Sequence, residues 1–112
     1  MRDDVELGNV ERMARFIAVH YSEPMSVADV AREVDLNPNY ALTLFRRGIG
    51  MGIVEFVTWH RIMHAQRLLA TSDLAILDIA FASGFGSTSR FYAAFKEECR
   101  CSPREYRASL RT

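Results

Sequence analysis

The sequence lacks the features that mark membrane, secreted and disulfide-stabilised proteins. Its longest apolar runs are far shorter than the ~20 residues that a transmembrane helix needs, and its acidic first residues carry no apolar stretch of the secretory kind. It has only two cysteines, Cys99 and Cys101, which are too close together to close a useful loop. The 112 residues, 49% of them hydrophobic, are enough for one domain with its own core. We therefore expect a reduced, cytoplasmic protein with no membrane partner.

Basic charge is absent in the sum but not in the distribution. The formal net charge is zero, which argues weakly against nucleic-acid binding because a basic footprint is expected there. Residues 1–35 hold eight acids and four bases, a net −4, whereas the remaining residues hold six acids and ten bases, a net +4. Thirteen of the fourteen bases are arginine, whose planar guanidinium suits phosphate oxygens and guanine edges. The basic excess lies in the part that carries the motifs described below.

The sequence also shows no sustained alternation of apolar and polar residues, so it does not predict a β-sheet. Helical periodicity dominates instead and predicts an all-α fold of about seven helices. We expect the first helix at about Val10 to Tyr21, with residues 1–9 as a leader or linker remnant. The other helices are predicted at about 26–34, 38–47, 52–70, 75–82, 87–99 and 103–110.

Capping residues indicate where several of these helices begin. Ser26 and Asp29 have the spacing of a capping box, in which each side chain bonds the backbone N–H of the other residue. Asn37 is a good N-cap, and Pro38 follows it at the first helical position, where its missing N–H costs nothing. The run Ser-Pro-Arg-Glu at 102–105 combines a cap, a first-turn proline and a glutamate that reaches back.

A repeat within the chain decides the predicted fold. Residues 26–31 and 75–80 share an order of residue types: any residue, apolar, any, Asp, apolar, Ala. Each is followed by a tight turn with one large apolar residue, Leu36 in the first copy and Phe85 in the second. Each turn leads into a helix that ends in an apolar-x-x-x-Phe arrangement. The second copy follows the first at an offset of 49 residues, which becomes 50 after the turn.

The physics of a helix-turn-helix explains this repeat. Two helices cross at ~90–120° over a short turn, and the small side chains of Ala31 and Ala80 are expected where the helices approach closely. Gly84 is expected to take a positive φ in the second turn, and Asp35 in the first, since Asp tolerates that region better than most residues. The apolar residues close a small core beneath the second helix, whose outer face is then free to enter a major groove.

We therefore predict two helix-turn-helix units, at about 26–47 and 75–98, joined by a long linker helix at about 52–70. Together they form one homeodomain-like tandem domain over residues 10–111. A helical bundle that merely contains two similar hairpins stays open as an alternative at this point.

With these motifs in place, the sequence resembles the AraC/XylS family of transcription regulators over about residues 10–110. The most diagnostic residues are Asp78-Ile79-Ala80, Gly84-Phe85, Ser89-Arg90-Phe91-Tyr92, Phe95-Lys96 and Ser102-Pro103-x-x-Tyr106-Arg107. Within the family, the wording Asn-Tyr-Ala in the first unit and Ser-Arg-Phe-Tyr in the second is most similar to the melibiose-operon regulator branch.

The resemblance implies a sequence-specific DNA-binding domain of a bacterial transcription regulator. Its two recognition helices would enter successive major grooves about one turn (~34 Å) apart on one face of the duplex. Duplex DNA and RNA polymerase are the implied partners, and no cofactor is implied. A monomeric fragment is expected, and an effector would act only through an N-terminal domain outside this chain. The short start of the chain favours an excised C-terminal domain over a stand-alone protein.

The resemblance also implies roles for individual residues. The base-facing residues are Asn39, Leu42 and Thr43 on the first recognition helix, and Thr88, Ser89, Tyr92 and Ala93 on the second. Candidates for phosphate contact are Arg46, Arg47, Arg90, Lys96 and Arg100. Because Leu42 and Thr43 can touch thymine methyls but cannot grip guanine, the second unit is expected to have the richer polar face. Arg100 stands where the family usually has a glycine, so the turn there is expected to be strained or shaped differently.

Other chemistry has weaker support in the sequence. His60 and His64 lie one helical turn apart, but they lack the Glu of a metalloprotease motif and a third ligand. Cys99 falls at an apolar helix position and is interpreted as a small core residue. The glycines at 48–52 lack the Gly-Lys-Ser/Thr ending of a phosphate loop, so they indicate a helix end. We predict no metal site and no enzyme. The functional alternative is a helical protein-interaction module without intrinsic DNA specificity.

Overall fold

Seven α-helices follow one another along the part of the chain that the computed structural model describes, residues 2–111, with side chains from residue 4 onward. They are α1 (Arg2–His20), α2 (Val27–Glu33), α3 (Pro38–Ile49), α4 (Ile53–Thr71), α5 (Ile76–Ala82), α6 (Thr88–Cys99) and α7 (Pro103–Leu110). This range contains no β-strand, and the predicted all-α class with about seven helices is confirmed. The chain divides into two compact units, which we call the first unit (Met1–Val57) and the second unit (Thr58–Thr112).

The core of the first unit lies between α1, α2 and α3. Met13 and Ile17 of α1 and Phe45 of α3 are completely buried there, each contributing roughly 1.5–3 kcal/mol of hydrophobic stabilisation. Ala31 is buried as well, as expected for a residue at the helix crossing. The turn between α2 and α3 has the predicted geometry, since Asp35 takes a φ of 55°.

The core of the second unit repeats this arrangement with more aromatic rings. Ala80 and Phe91 are completely buried, and the ring centroids of Phe85 and Phe91 lie 5.3 Å apart. Phe95 lies 5.7 Å from Phe91 and 5.5 Å from Tyr106 of α7, both in edge-to-face geometry that favours aromatic pairs. Gly84 takes the predicted positive φ, 107°.

The predicted helix caps form as hydrogen bonds. Ser26 Oγ accepts the Asp29 N–H at 3.2 Å, and Asp29 Oδ2 accepts the Ser26 N–H at 2.9 Å. The same reciprocal pair joins Ser102 and Glu105, at 3.0 and 2.8 Å. In both capping boxes, the hydrogen bond that the carboxylate accepts from the N–H of the N-cap residue holds the pKa of the carboxyl group below its ordinary value. Asn37 Oδ1 accepts the N–H of residue 39 at 2.8 Å, above the proline at the first position of α3.

The prediction that the first helix begins at about Val10 is wrong, because α1 begins at Arg2. Residues 2–9, expected as a leader, are therefore helical. Acidic residues in this segment stabilise the helix, because they lie near the positive end of its dipole. Val10 packs into the space left by Gly48 of α3. Gly48 was expected to end α3 but lies within it, and the helix ends at Gly50, which has a φ of 92°.

Side-chain hydrogen bonds fix both ends of the linker helix α4, from Glu55 of α4 itself at its start and from Arg107 of α7 at its end. At its start, Glu55 Oε1 accepts the N–H of Gly52 at 3.2 Å. At its end, the Arg107 guanidinium donates to the carbonyls of Leu69, Ser72 and Leu74 at 3.2, 3.1 and 2.8 Å. Within residues 2–111, no helix has the length and apolar character that crossing a membrane requires.

Candidate nucleic-acid interface

The first candidate surface is the outer face of α3. Its inner face is buried through Ala41, Leu44 and Phe45, so helical geometry turns the intervening residues outward. The structure leaves all the predicted contact residues of this helix exposed: Asn39, Leu42, Thr43, Arg46 and Arg47. Leu42, Thr43, Arg46 and Arg47 line, with Gly52, a shallow depression of about 500 Å³.

The hydrogen-bonding capacity of this face rests mainly on the side-chain amide of Asn39. The Thr43 hydroxyl donates to the Asn39 carbonyl one turn earlier, at 3.2 Å, so its proton is already used within the helix. Its methyl group and both lone pairs of its oxygen are left for a ligand, and Leu42 offers only apolar surface. Apolar groups of this kind can contact the methyl group of thymine but cannot distinguish guanine.

Both arginines of α3 are paired with glutamates. Arg46 Nη2 lies 3.3 Å from Glu55 Oε1, in the first turn of α4. Arg47 Nη1 lies 3.8 Å from Glu6 Oε2, in α1. Ion pairs with exposed arginines are weak, typically about 0–1 kcal/mol. Each guanidinium can therefore exchange its carboxylate for a phosphate, provided that the carboxylate can be left behind.

The second candidate surface is the outer face of α6. Its inner face is buried through Phe91 and Phe95, and Ser87 caps its start by accepting the Arg90 N–H at 3.2 Å. The predicted base-facing residues Ser89, Tyr92 and Ala93 are exposed, whereas Thr88, in the first turn, is half-buried. Ser89 and Tyr92 each present a hydroxyl group at an exposed position of this helix, whereas α3 presents the Asn39 amide and the Thr43 hydroxyl.

The cations of the second surface differ from those of the first in their pairing. Arg90, Lys96 and Arg100 are all exposed, and none of them has a salt bridge to a carboxylate in the described part of the chain. Arg100 caps the end of α6 with a φ of 62° and donates its N–H to the Lys96 carbonyl at 2.9 Å. The strained turn expected at Arg100 is thus present.

Comparison with known proteins gives this arrangement a family. The helix-turn-helix domain family matches residues 30–109. The chain belongs to this family, in its AraC-type branch. Its members of this type are DNA-binding domains of transcription regulators, and the predicted family and tandem helix-turn-helix architecture are confirmed.

Individual relatives of this AraC-type domain are similar over nearly its whole length. The melibiose operon regulatory protein of Escherichia coli K12 is 42% identical over 98 residues, 88% of this chain and 32% of that protein. Two solved structures match with a TM-score of 0.87. The C-terminal domain of AraT, a response regulator from Geobacillus stearothermophilus, is 27% identical and covers 90% of this chain and 84% of its own. The DNA-binding domain of the global transcriptional factor AdpA, in complex with a target DNA, is 26% identical, and the match covers 91% of this chain and 92% of that chain.

The curated relatives are longer proteins. The AraC-type domain spans about a third of the length of the relatives it matches, at 32% of the melibiose regulator and 33% of the regulatory protein PocR of Salmonella typhimurium. What those whole proteins do is therefore carried over to this chain only as a proposal.

Three residues that take part in the polar contacts of α3 were not predicted as site residues from the sequence: Glu6, Tyr40 and Glu55. Tyr40 is exposed and its hydroxyl donates to Glu6 Oε1 at 3.1 Å, so the same glutamate contacts two residues of the recognition helix. The two contacts of this glutamate join residues 34 and 41 positions apart in the sequence, so no local sequence pattern predicts them. Glu55 is different, because a glutamate three residues after Gly52 is a recognisable helix-start signal.

The histidine and cysteine pairs of the AraC-type domain are built into its packing. Burial lowers the pKa of His60 and of His64, which favours their neutral forms. The described residues include no group of three or more His, Cys, Asp or Glu that could hold a metal ion. Cys99 packs against the second core as predicted, and burial raises the pKa of its thiol.

Proposed function

We propose that this domain binds duplex DNA sequence-specifically by placing α3 and α6 in successive major grooves, about one helical turn apart. The observation that carries this proposal is the same in both units: a recognition helix with its inner face buried and its outer face exposed, flanked by arginines. The similarity to a domain solved on its target DNA supports it. The reading elements are α2–α3 and α5–α6, with α4 as the linker.

The roles of the side chains follow from their chemistry. Base edges would be contacted by the exposed outer residues Asn39, Leu42, Thr43, Ser89, Tyr92 and Ala93, with Thr88 at the margin. Phosphates would be contacted by Arg46, Arg47, Arg90, Lys96 and Arg100. Base contacts decide the sequence, and phosphate contacts mainly supply affinity and register. We infer that the two units contribute unequally to DNA recognition. The second unit has the richer polar face, and its cations are less restrained by carboxylates.

Wider proposals concern the protein in the cell. The domain acts in the cytoplasm as the output part of a bacterial regulator and is monomeric by itself. An effector acts on it only through a domain outside this chain. RNA polymerase is the proposed protein partner, and the exposed apolar side chains of Leu74, before α5, and of Leu77 and Phe81, on α5, favour such a protein contact.

The experiment that tests DNA binding is a salt titration against duplex DNA. A phosphate-contacting protein loses affinity steeply as salt rises, with a slope of log K against log salt of about −0.9 for each phosphate contact. On a selected site, Ser89→Ala or Tyr92→Ala is expected to relax base preference at a few positions, by about 1–3 kcal/mol for each base. Arg90→Ala, the matched variant on the same helix, is expected to weaken all sequences alike. A salt-independent interaction would indicate the alternative, a protein-interaction module.

A further inference from the structure

A carboxylate of α1 lies against the flank of the first recognition helix. Glu6 Oε1 accepts the Tyr40 hydroxyl proton at 3.1 Å, and Glu6 Oε2 lies 3.8 Å from Arg47 Nη1. The Glu6 side chain is only 20% exposed, whereas that of Arg47 is 62% exposed. The negative charge is thus largely enclosed between α1 and α3, and the cation that it attracts points outward.

This position has a consequence for DNA binding. The affinity of a basic side chain for DNA comes largely from the release of the counterions that surround the phosphates. An arginine that is already paired with a carboxylate of the same protein must break this ion pair, or share its charge, before it can replace such a counterion. A carboxylate near the contact face also repels the phosphate directly.

The two glutamates that pair with α3 differ in how freely they can give up their arginine. Glu55 is 63% exposed, so its carboxylate can turn into solvent when Arg46 moves to a phosphate. Glu6 is mostly enclosed and is held by Tyr40 as well, so it stays beside Arg47. The candidate cations of α6 have no such partner among the described residues, as noted above.

We propose that Glu6 is a positioning residue that limits the affinity of the first unit for DNA by competing with the phosphate backbone for the Arg47 guanidinium. The inference rests on the proposed function, because it takes the outer face of α3 as the DNA-contacting face. It assigns the N-terminal turns of α1 a part in DNA binding, although they contribute no base contact.

The test compares Glu6→Gln with wild type on a mixed-sequence duplex of about 30 base pairs, because phosphate contacts do not depend on sequence. Glutamine keeps the size of the side chain and an oxygen for Tyr40 but removes the charge. One additional phosphate contact steepens the salt slope by about 0.9, so the gain in affinity shrinks about 3.5-fold between roughly 50 and 200 mM salt. The readout is fluorescence anisotropy over that range, with thermal unfolding as a check that the variant is folded.

Two further variants separate this mechanism from a general charge effect. Glu11→Gln removes one negative charge from an exposed position of the same helix and is expected to leave the salt slope unchanged. Arg47→Ala is expected to abolish the gain in the Glu6→Gln background, because the guanidinium that Glu6→Gln releases is then missing.

The outcomes are distinct. A steeper slope for Glu6→Gln that disappears in Glu6→Gln/Arg47→Ala supports the inference. Equal slopes for Glu6→Gln and Glu11→Gln, or a gain that persists without Arg47, would overturn it while DNA binding by wild type stands. If wild type itself shows no salt-dependent binding, the proposed function fails and the inference fails with it.

Discussion

At the scale of single residues, the two recognition helices end in the same left-handed backbone conformation. Gly50 and Arg100 occupy equivalent places, 50 residues apart, and each ends a recognition helix with a positive φ, 92° and 62°. Glycine adopts this conformation freely, whereas another L-residue loses about 1–2 kcal/mol there. The second unit therefore holds a strained arginine where the first has a relaxed glycine.

Replacing Arg100 with glycine is expected to raise the free energy of unfolding by about 0.5–1 kcal/mol. The relief of about 1–2 kcal/mol in the folded state exceeds the extra entropy that glycine gives the unfolded chain, about 0.5–1 kcal/mol. Urea denaturation followed by circular dichroism measures the difference. Gly50→Ala is the matched variant and should lower stability, because it introduces the same strain. A loss of stability in Arg100→Gly would contradict this account of the turn.

Single residues also show where prediction from sequence stops. The positive φ of Asp35 and Gly84 could be predicted, because the tight turn of a helix-turn-helix demands it and few residue types tolerate it. The contacts of Glu6 with Tyr40 and Arg47 could not, because they depend on how α1 packs beside α3. Sequence reasoning gave Arg47 a phosphate role without the carboxylate that restrains it.

At the scale of helices, α1 and α3 approach closely at Gly48. A Cβ at this position would lie 2.8 and 2.9 Å from the two Cγ atoms of Val10, which is itself buried. Gly8 of α1 lies inside a helix too, but a Cβ there would meet nothing within 4 Å. These two glycines thus separate a packing requirement from a simple helix-propensity cost.

Alanine at the two glycines is expected to have opposite effects. Gly8→Ala should stabilise the protein by about 0.5–1 kcal/mol, because alanine favours a helix interior. Gly48→Ala should destabilise it by about 1–2 kcal/mol, since a clash with Val10 of about 1–3 kcal/mol outweighs the gain in propensity. Equilibrium denaturation of both variants decides. No gain from Gly8→Ala would mean that residues 2–9 are not stably helical, and a neutral Gly48→Ala would mean that α1 and α3 can move apart.

The end of α4 depends on one side chain from α7. The Arg107 guanidinium donates to three carbonyls at this end, where a helix has acceptors without intrahelical partners. Arg107→Lys is expected to lower the free energy of unfolding by about 1–3 kcal/mol, because an ammonium group cannot match the planar fork of donors.

Arg104→Lys is the control for this prediction. Arg104 is exposed on the same helix, and its replacement should change stability by no more than about 0.5 kcal/mol. Equal stabilities of the two lysine variants, measured by chemical denaturation, would show that the contacts of Arg107 do not hold the end of α4.

The ends of a helix could be predicted from the sequence where residues close to them mark them. The starts of α2, α3 and α7 follow from side chains that bond the backbone within three residues, and the sequence shows these pairs directly. The start of α1 has no such marker, and Val5 and Leu7 near it are exposed, which hides the amphipathic pattern. Its helical start was missed because packing against α3 supports it, and this packing depends on the tertiary structure.

At the scale of the whole molecule, stability should depend on pH through the linker helix. Burial lowers the pKa of His60 and His64 in the folded state, with Arg67 adding to the effect at His64. The unfolded chain therefore binds more protons just below its ordinary histidine pKa of about 6.5, so stability is complete above that pH and falls as pH decreases towards the folded values.

Urea denaturation at about pH 7.5 and about pH 5.5 measures this fall. The double variant His60→Gln/His64→Gln is expected to lose less stability between the two values than wild type does. The buffer range lies above the region where the carboxylates with lowered pKa titrate, so they do not mask the effect. An identical pH dependence in both proteins would contradict the assignment to these histidines.

The whole molecule also explains how a chain with zero net charge can bind DNA. Residues 1–57 hold nine acids and six bases, whereas residues 58–112 hold five acids and eight bases. Arg90, Lys96 and Arg100 of the second unit have no salt bridge among the described residues, while Arg46 and Arg47 of the first unit are paired with glutamates. The repeat in the sequence was sufficient to predict two helix-turn-helix units. It was not sufficient to predict that they differ in the charge available to a phosphate.

The most direct test of the two-reader account is selection of binding sites from random duplex DNA by wild type and by two variants. We predict two conserved blocks whose centres lie about 10 base pairs apart, as two recognition helices on one face of the duplex require. Leu42→Ala/Thr43→Ala should relax one block and Ser89→Ala the other, with the stronger base preference in the block that Ser89 affects. A single conserved block, or one block altered by both variants, would contradict the account.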